Sequence, residues 1–352
     1  TCLRMRTRQD ILDILHDLSA LRRALIDQAS RHTHSIMPGF THFQHAQPTT
    51  LAHYLLAYEA VFARDTQRLF DAYTRVNISP LGSAAFAGTG FTIDREVTAE
   101  YLGFTAPMTN SMDGVASRDF ILEVLAVLSI LMTNVSRLCE ELVLWSSAFI
   151  RFVDLDEAYC STSSIMPQKK NPDTAEIMRG KSGVTSGELM VGLTLMKGLP
   201  MSYNRDMQDL TPHLWRSLDA AADVLPILAD MIRTAVFNTD RMAEESGRGN
   251  STATELADFM VREFGMPFRT AHNIVGRAVK LGGLSLEVVE QAGREICGRS
   301  LMEQGLTQEI IEQVLSPSGM VAAKQSSGSP NPVMMAAAAD AAATFLIGDE
   351  AR

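Results

Sequence analysis

The chain has 352 residues, enough for two or three domains around a large core. Its 46 % hydrophobic and 20 % charged content is ordinary for a globular protein. A net charge of −10 argues against nucleic acid or an anionic membrane as partner, but leaves room for local positive charge around a small anion.

In chain order, the start (Thr1 to Asp10) carries Arg4, Arg6 and Arg8 and no apolar stretch, so it is not a signal peptide. It opens mid-pattern and reads as part of a longer protein. Apolar residues from Ile11 to Ile26 then recur at helical spacing. Met37 to Gln47 is too polar for a helix. A long helical run follows from Thr50 to about Val76. Ser79 to Thr92 is glycine-rich but fits neither the Walker pattern nor Gly-x-Gly-x-x-Gly, so a small-residue turn or close helix packing is expected instead of a phosphate cradle. Arg118 to about Ile150 is a second long helix. Its stretch Val124 to Ser136 has no charge but is shorter than the ~18 residues a membrane span needs, and so predicts a buried helix.

Asp154 to Pro172 is a third non-helical segment, and Gly198 to Thr211 a shorter fourth. Helices are predicted from about Thr174 to Leu195 and from Thr211 to about Val236. Helices this long, apolar on more than one face, belong inside a bundle. β-branched alternation is almost absent, so the predicted fold is all-α. After about Glu244 the helices shorten: Thr252-Ala253-Thr254-Glu255 reads as a capping box, and Pro267, Gly282-Gly283 and Gly305 mark breaks. The expected division is 1–244, a central helical bundle carrying the functional loops, and 245–352, a smaller helical domain. Its Ala-rich end, Met334 to Phe345, reads as a last helix.

Ser163-Ser164-Ile165-Met166-Pro167-Gln168-Lys169-Lys170-Asn171-Pro172 concentrates chemistry. Its prolines remove backbone donors and favour an ordered loop. Ser163 is either a turn cap or a base or nucleophile whose alkoxide Lys169 and Lys170 stabilise. Lys169 is either solvated or a clamp for an oxyanion, and Asn171 either makes a turn or donates to the same oxyanion. His42 lies among Thr41, Gln44 and Gln47; a carboxylate partner would raise its basicity. Tyr203-Asn204-Arg205-Asp206-Met207-Gln208 is either a surface turn or a recognition segment, with Arg205 suited to a carboxylate. Arg137 is either a buried carboxylate clamp or paired with Glu140 or Glu141. Cys2, Cys139, Cys160 and Cys297 show no metal-ligand spacing and read as idle thiols of a reducing cytoplasm, Cys160 included.

The Ser163 loop resembles the signature loop of the fumarase/aspartase superfamily nearly letter for letter. Met37 to Pro48, Ser79 to Ser83, Asn110 to Asp113, Arg118-Asp119-Phe120, Glu140-Glu141-Leu142 and Tyr203 to Gln208 make the whole chain similar to the argininosuccinate lyase branch. The resemblance implies a cytoplasmic homotetramer with composite active sites that splits a succinyl-amine substrate into arginine and fumarate, with no cofactor and no metal. It makes Ser163 the base, Lys169 and Asn171 the clamp of the aci-carboxylate, and His42 with Glu176 the aid to the departing nitrogen. Thr41, Gln44, Ser164, Tyr203, Arg205 and Gln208 would bind substrate.

Family members also carry an N-terminal Ser-Arg-Asn substrate loop that would precede Thr1. Here Thr162 stands for a common glycine, His45 for a frequent arginine, and Asp209-Leu210-Thr211-Pro212 for an acidic-basic run. That last region would face the amine half of the substrate. A relative acting on an adenylosuccinate or aminopolycarboxylate adduct, or a crystallin-like structural homologue, therefore stays open on the sequence.

Overall fold

The computed structural model describes residues 1–166 and 168–352, so the expectation for Pro167 lies outside the described residues. The fold is all-α. In chain order come α1 (Cys2–Arg31), α2 (Leu51–Val76), the short α3 (Arg95–Tyr101) and α4 (Ser111–Ala116), and the long α5 (Asp119–Ser146), α6 (Asp173–Met196) and α7 (Met207–Thr234). Then follow α8 (Thr239–Ser246), α9 (Ala253–Phe264), α10 (Phe268–Leu281), α11 (Leu286–Cys297), α12 (Gln308–Val314), α13 (Pro317–Ala322) and α14 (Pro332–Glu350). The strands among the described residues are two residues long and serve to brace loops.

The chain folds into two compact units that interleave in sequence. Unit 1 comprises residues 1–27, 57–236 and 342–352; unit 2 comprises 28–56 and 237–341. The change of texture read near residue 244 falls inside unit 2, soon after the chain re-enters it at Phe237.

In unit 1, α5, α6 and α7 pack against one another. The spacing of Ile121, Val124, Leu125, Leu128, Leu131, Met132, Val135 and Leu138 makes α5 a core helix, and all of them are buried. Full burial of one such side chain is worth about 1.5–3 kcal/mol, so packing drives this helix more than intrinsic propensity does. By length and composition α5 and α14 could each cross a membrane; the burial of α5 is that of a core helix. Gly192 lets α6 approach α5 closely, because a Cβ there would sit 3.0 Å from Leu122 and Leu125. Ser129 Oγ donates to Leu125 O (2.7 Å) and Thr185 O (3.0 Å), which ties the two helices without an orphaned hydroxyl. Helix α7 begins at Met207, four residues before its predicted start. Pro212 lies inside the helix, where it costs a single donor and is exposed.

A buried ionic cluster pins three segments of unit 1. Arg22, with 0 % exposure, donates to Glu59 Oε1 (3.0 Å), Thr66 Oγ1 (3.2 Å) and Asp349 Oδ2 (2.7 Å). Gln67 Nε2 supplies the second Asp349 oxygen at 2.9 Å. Burial still holds the Glu59 carboxyl above its ordinary value, outweighing the Arg22 guanidinium.

Unit 2 has its own core, built from Leu256, Met260, Ile274, Val289, Leu301 and Ile311. Helix α9 opens where expected, but the capping box does not form. Thr252 makes no side-chain cap, and Glu255 turns inward to bind Arg262 (2.7 Å) and Lys324 (2.9 Å). Two cations are stronger partners for a buried carboxylate than one amide.

Candidate active site

The signature loop is a hairpin whose base is a two-residue ladder. Ser161 pairs with Asn171 and Thr162 with Lys170. Ser163 N donates across it to Lys169 O (3.2 Å), and Lys169 N to Met166 O (2.9 Å). The base is fastened to α6 through Asp173, whose Oδ1 accepts Ser161 N at 2.8 Å. What burial does to raise the Asp173 carboxyl is overcome by hydrogen bonds from Ser161 and from the helix's first amides, so it sits below its ordinary value.

Within this frame the half-buried Ser163 Oγ accepts two backbone N–H groups, from Ile165 (3.2 Å) and Met166 (3.1 Å). By itself this is a serine turn. The same two dipoles, however, lower the proton affinity of the oxygen they point at, as a serine base requires. The two lysines prove unequal. Lys170 is bound to Asp154 at 2.8 Å, whereas Lys169 is exposed and has no ion-pair partner among the described residues. Burial works against the Lys170 ammonium, but Asp154 raises it overall. Cys160 is not activated: burial pushes its thiol up despite Lys170. Glu176 lies exposed in the first turn of α6, and Ser164 is exposed at the loop's tip.

His42 sits in unit 2 on a second hairpin. Phe40 pairs with His45 and Thr41 with Gln44, leaving His42 and Phe43 as the two turn residues. Both have φ of +56°, the left-handed geometry that a tight primed turn demands. Glycine or asparagine would adopt it easily; for His and Phe it costs roughly 1–2 kcal/mol each. Phe43 is 80 % exposed, so core packing of its ring does not repay the cost. Strain of this kind, kept by the surrounding structure, marks functional turns. The result projects an exposed imidazole flanked by Thr41 and Gln44.

The Tyr203 run lies in unit 1 just before α7. Ser202 has φ of +72°, Asn204 Nδ2 donates to Pro200 O (3.0 Å), and Tyr203, Arg205 and Gln208 are exposed. Tyr203 helps wall a cavity of about 490 Å³ with Pro80, Ser83, Gly114, Arg118 and Phe120. The glycine-rich segment thus serves as a cavity wall by close packing: a Cβ on Gly114 would lie 2.3 Å from Ser83 Oγ. Arg118 donates to Val115 O (3.2 Å) and Ser117 O (2.7 Å), and burial lowers its guanidinium below the usual value. A larger cavity of about 670 Å³, lined by residues of α1, α7 and the end of α14, holds none of the expected site residues. Of the expected site residues, the smaller cavity is lined by Tyr203.

Arg137 is not the buried clamp that one reading allowed. It is exposed, while Arg179 engages Glu140 and Tyr58 donates to Glu141 (3.4 Å). Sequence reasoning passed over Asp154 and Asp173. Asp173, directly after Pro172 at a helix start, carried a readable signal; Asp154, sixteen residues from Lys170, did not.

Residues 1–187 match the family described as lyase, and residues 250–322 the family described as argininosuccinate lyase C-terminal. The chain is 65 % identical to the argininosuccinate lyase of Methanocorpusculum labreanum, over 99 % of its own length and 71 % of that protein's. The chain belongs to the argininosuccinate lyase family. The argininosuccinate lyase of Methanoculleus marisnigri is 59 % identical over 100 % of the chain and 71 % of its own length. The crystal structure of EDDS lyase in complex with formate superposes with a TM-score of 0.90 at 31 % identity, covering 99 % of this chain and 70 % of that one. The protein is a carbon–nitrogen lyase whose small-molecule substrate is argininosuccinate, split into arginine and fumarate. EDDS lyase shares the scaffold, so the scaffold does not choose the amine; the identity to the argininosuccinate lyases does.

Proposed function

We propose that argininosuccinate cleavage in this protein is an elimination begun by Ser163. Its alkoxide takes a proton from the succinyl Cβ, and the electron pair moves into the neighbouring carboxylate to give an aci-carboxylate dianion. A carbon acid beside a carboxylate is very weak, so the dianion must meet donors already in place. Lys169, which has no ion-pair partner among the described residues, and Asn171 fill that role. Collapse of the dianion breaks the C–N bond, releasing fumarate, and His42, together with Glu176 of the composite site, assists the proton to the departing guanidino nitrogen. Thr41, Gln44, Ser164, Tyr203, Arg205 and Gln208 hold the substrate, and the exposed loop closes over it to exclude water.

The observation that carries the Ser163 assignment is the convergence of the Ile165 and Met166 amides on one hydroxyl oxygen.

The working form is a homotetramer with composite sites. Helix α6 supports this: Ile177, Val184, Met190, Val191 and Leu193 are exposed on a core-length helix, among the glycines 180, 183 and 187. Such a stripe is suited to burial against other copies. Four free thiols fit a reducing, cytoplasmic setting. The test is fumarate release, followed by its ultraviolet absorbance, from argininosuccinate against adenylosuccinate and aminopolycarboxylate adducts, with light scattering for assembly. Turnover of argininosuccinate that survives His42→Ala and Ser163→Ala intact would overturn the residue roles.

A further inference from the structure

The turn that presents His42 is strained at two consecutive positions, so something at its base must hold it. The candidates all lie in unit 2. Gly39 N donates to Gln47 O (3.1 Å) and Ala46 N to Gly39 O (2.8 Å), which closes the hairpin neck. Glycine is required at 39, since a Cβ would stand 2.4 Å from Gln47 O. Gln47 Nε2 donates to Thr254 Oγ1 of α9 (3.0 Å).

His45, cross-strand partner of Phe40 and packed against its ring at a 50° tilt with centroids 5.1 Å apart, points Nε2 at Glu245 Oε2 of α8, 3.7 Å away. That is an electrostatic contact rather than a hydrogen bond. Glu245 is itself buried and gripped from its other oxygen by Arg241 (2.5 Å) and Arg248 (3.1 Å). Its position is therefore set by α8 and the turn after it. The hairpin is secured to that fixed carboxylate at the residue three positions beyond His42.

We infer that Glu245, with His45 as its contact on the hairpin, is a positioning pair that holds the strained His42 turn in its productive geometry. Neither residue touches the reacting atoms. The inference rests on the proposed role of His42, and it explains how a left-handed His-Phe turn persists without glycine. It also gives the His45 position a physical requirement, a side-chain nitrogen aimed at Glu245, which an arginine would meet as well.

The test uses the intact protein with His45→Leu, Glu245→Gln and His45→Arg. Amide hydrogen exchange reads the neck directly at Gly39 and Ala46. Both disruptive variants should lose about tenfold in protection there, with protection in the α10–α11 core unchanged. Because small misplacements of a reacting group are costly, kcat should fall about 10- to 100-fold at nearly constant KM. His45→Arg should restore both.

Wild-type protection at the neck in His45→Leu and Glu245→Gln would overturn the inference. So would wild-type kcat in a variant whose neck exchanges freely. Should Glu245→Gln fail to fold, His45→Leu against His45→Arg decides alone. Wild-type kcat in His42→Ala would instead overturn the role of His42, an outcome the exchange data do not share.

Discussion

Removing the Ser163 hydroxyl separates two roles that differ by orders of magnitude. If Ser163 only caps its turn, Ser163→Ala loses two hydrogen bonds on an exposed loop, about 0.5–1.5 kcal/mol each at most. Activity would then barely change. If its alkoxide is the base, the same two amides act on a charge, where each is worth roughly 1.5–3 kcal/mol. Ile165 is 86 % exposed, so the lower end applies: together about 3 kcal/mol in favour of the alkoxide. Loss of a general base costs typically 10²–10⁴-fold. We expect kcat for fumarate release to fall about 10³-fold, about 4 kcal/mol of barrier, with KM within about threefold. The melting temperature should fall by no more than a few degrees, since ~1 kcal/mol shifts a protein of this size by about 1–2 °C. A kcat within threefold of wild type would leave Ser163 a turn residue and refute the reasoning.

The two loop lysines should separate as their partners do. Lys169→Met is expected to lose about 10²–10³-fold in kcat, whereas Lys170→Met, which frees only an exposed pair with Asp154, should stay within about threefold in the same assay. Arg22→Met strands two buried carboxylates, and a loss of about 3–5 kcal/mol is expected by denaturant titration. The defect should be pH-dependent. The Glu59 carboxyl already titrates above its ordinary value, and without Arg22 it moves further up. Protonating a carboxyl of raised pKa favours the folded state, so the gap to wild type should narrow as pH falls from neutral toward 4.5; a constant gap would exclude Glu59 as the cause. Cys160→Ala should keep kcat within about twofold, because its thiol is raised rather than activated.

The bundle was legible because its signal is local. A run such as Ile121 to Leu138 repeats at helical spacing, and no distant residue can overrule that much apolar area. The loop chemistry was legible for the same reason, since Ser163, Lys169 and Asn171 fall within nine positions and one hairpin gathers them. What failed depended on partners far along the chain. Thr252 and Glu255 spell a capping box, but Lys324, sixty-nine residues on from Glu255, changes where the carboxylate points. One miss was local: the helix expected from Thr211 starts at Met207, because the turn at Asn204 to Gln208 has already begun it.

The site itself divides along this line. Lys169 and Lys170 are adjacent letters of one kind, and only Asp154, brought in by the fold, makes one structural and leaves the other free for an anion. In the same way His42 was readable as a histidine in a polar segment, but its left-handed backbone was not, because nothing in Thr41-His42-Phe43-Gln44 prefers positive φ. The fold imposes that geometry through contacts 200 residues away, at Glu245 and Thr254. A sequence therefore names the groups that do chemistry more readily than the groups that aim them. The aiming residues are where substitution should alter kcat while leaving every recognisable motif intact.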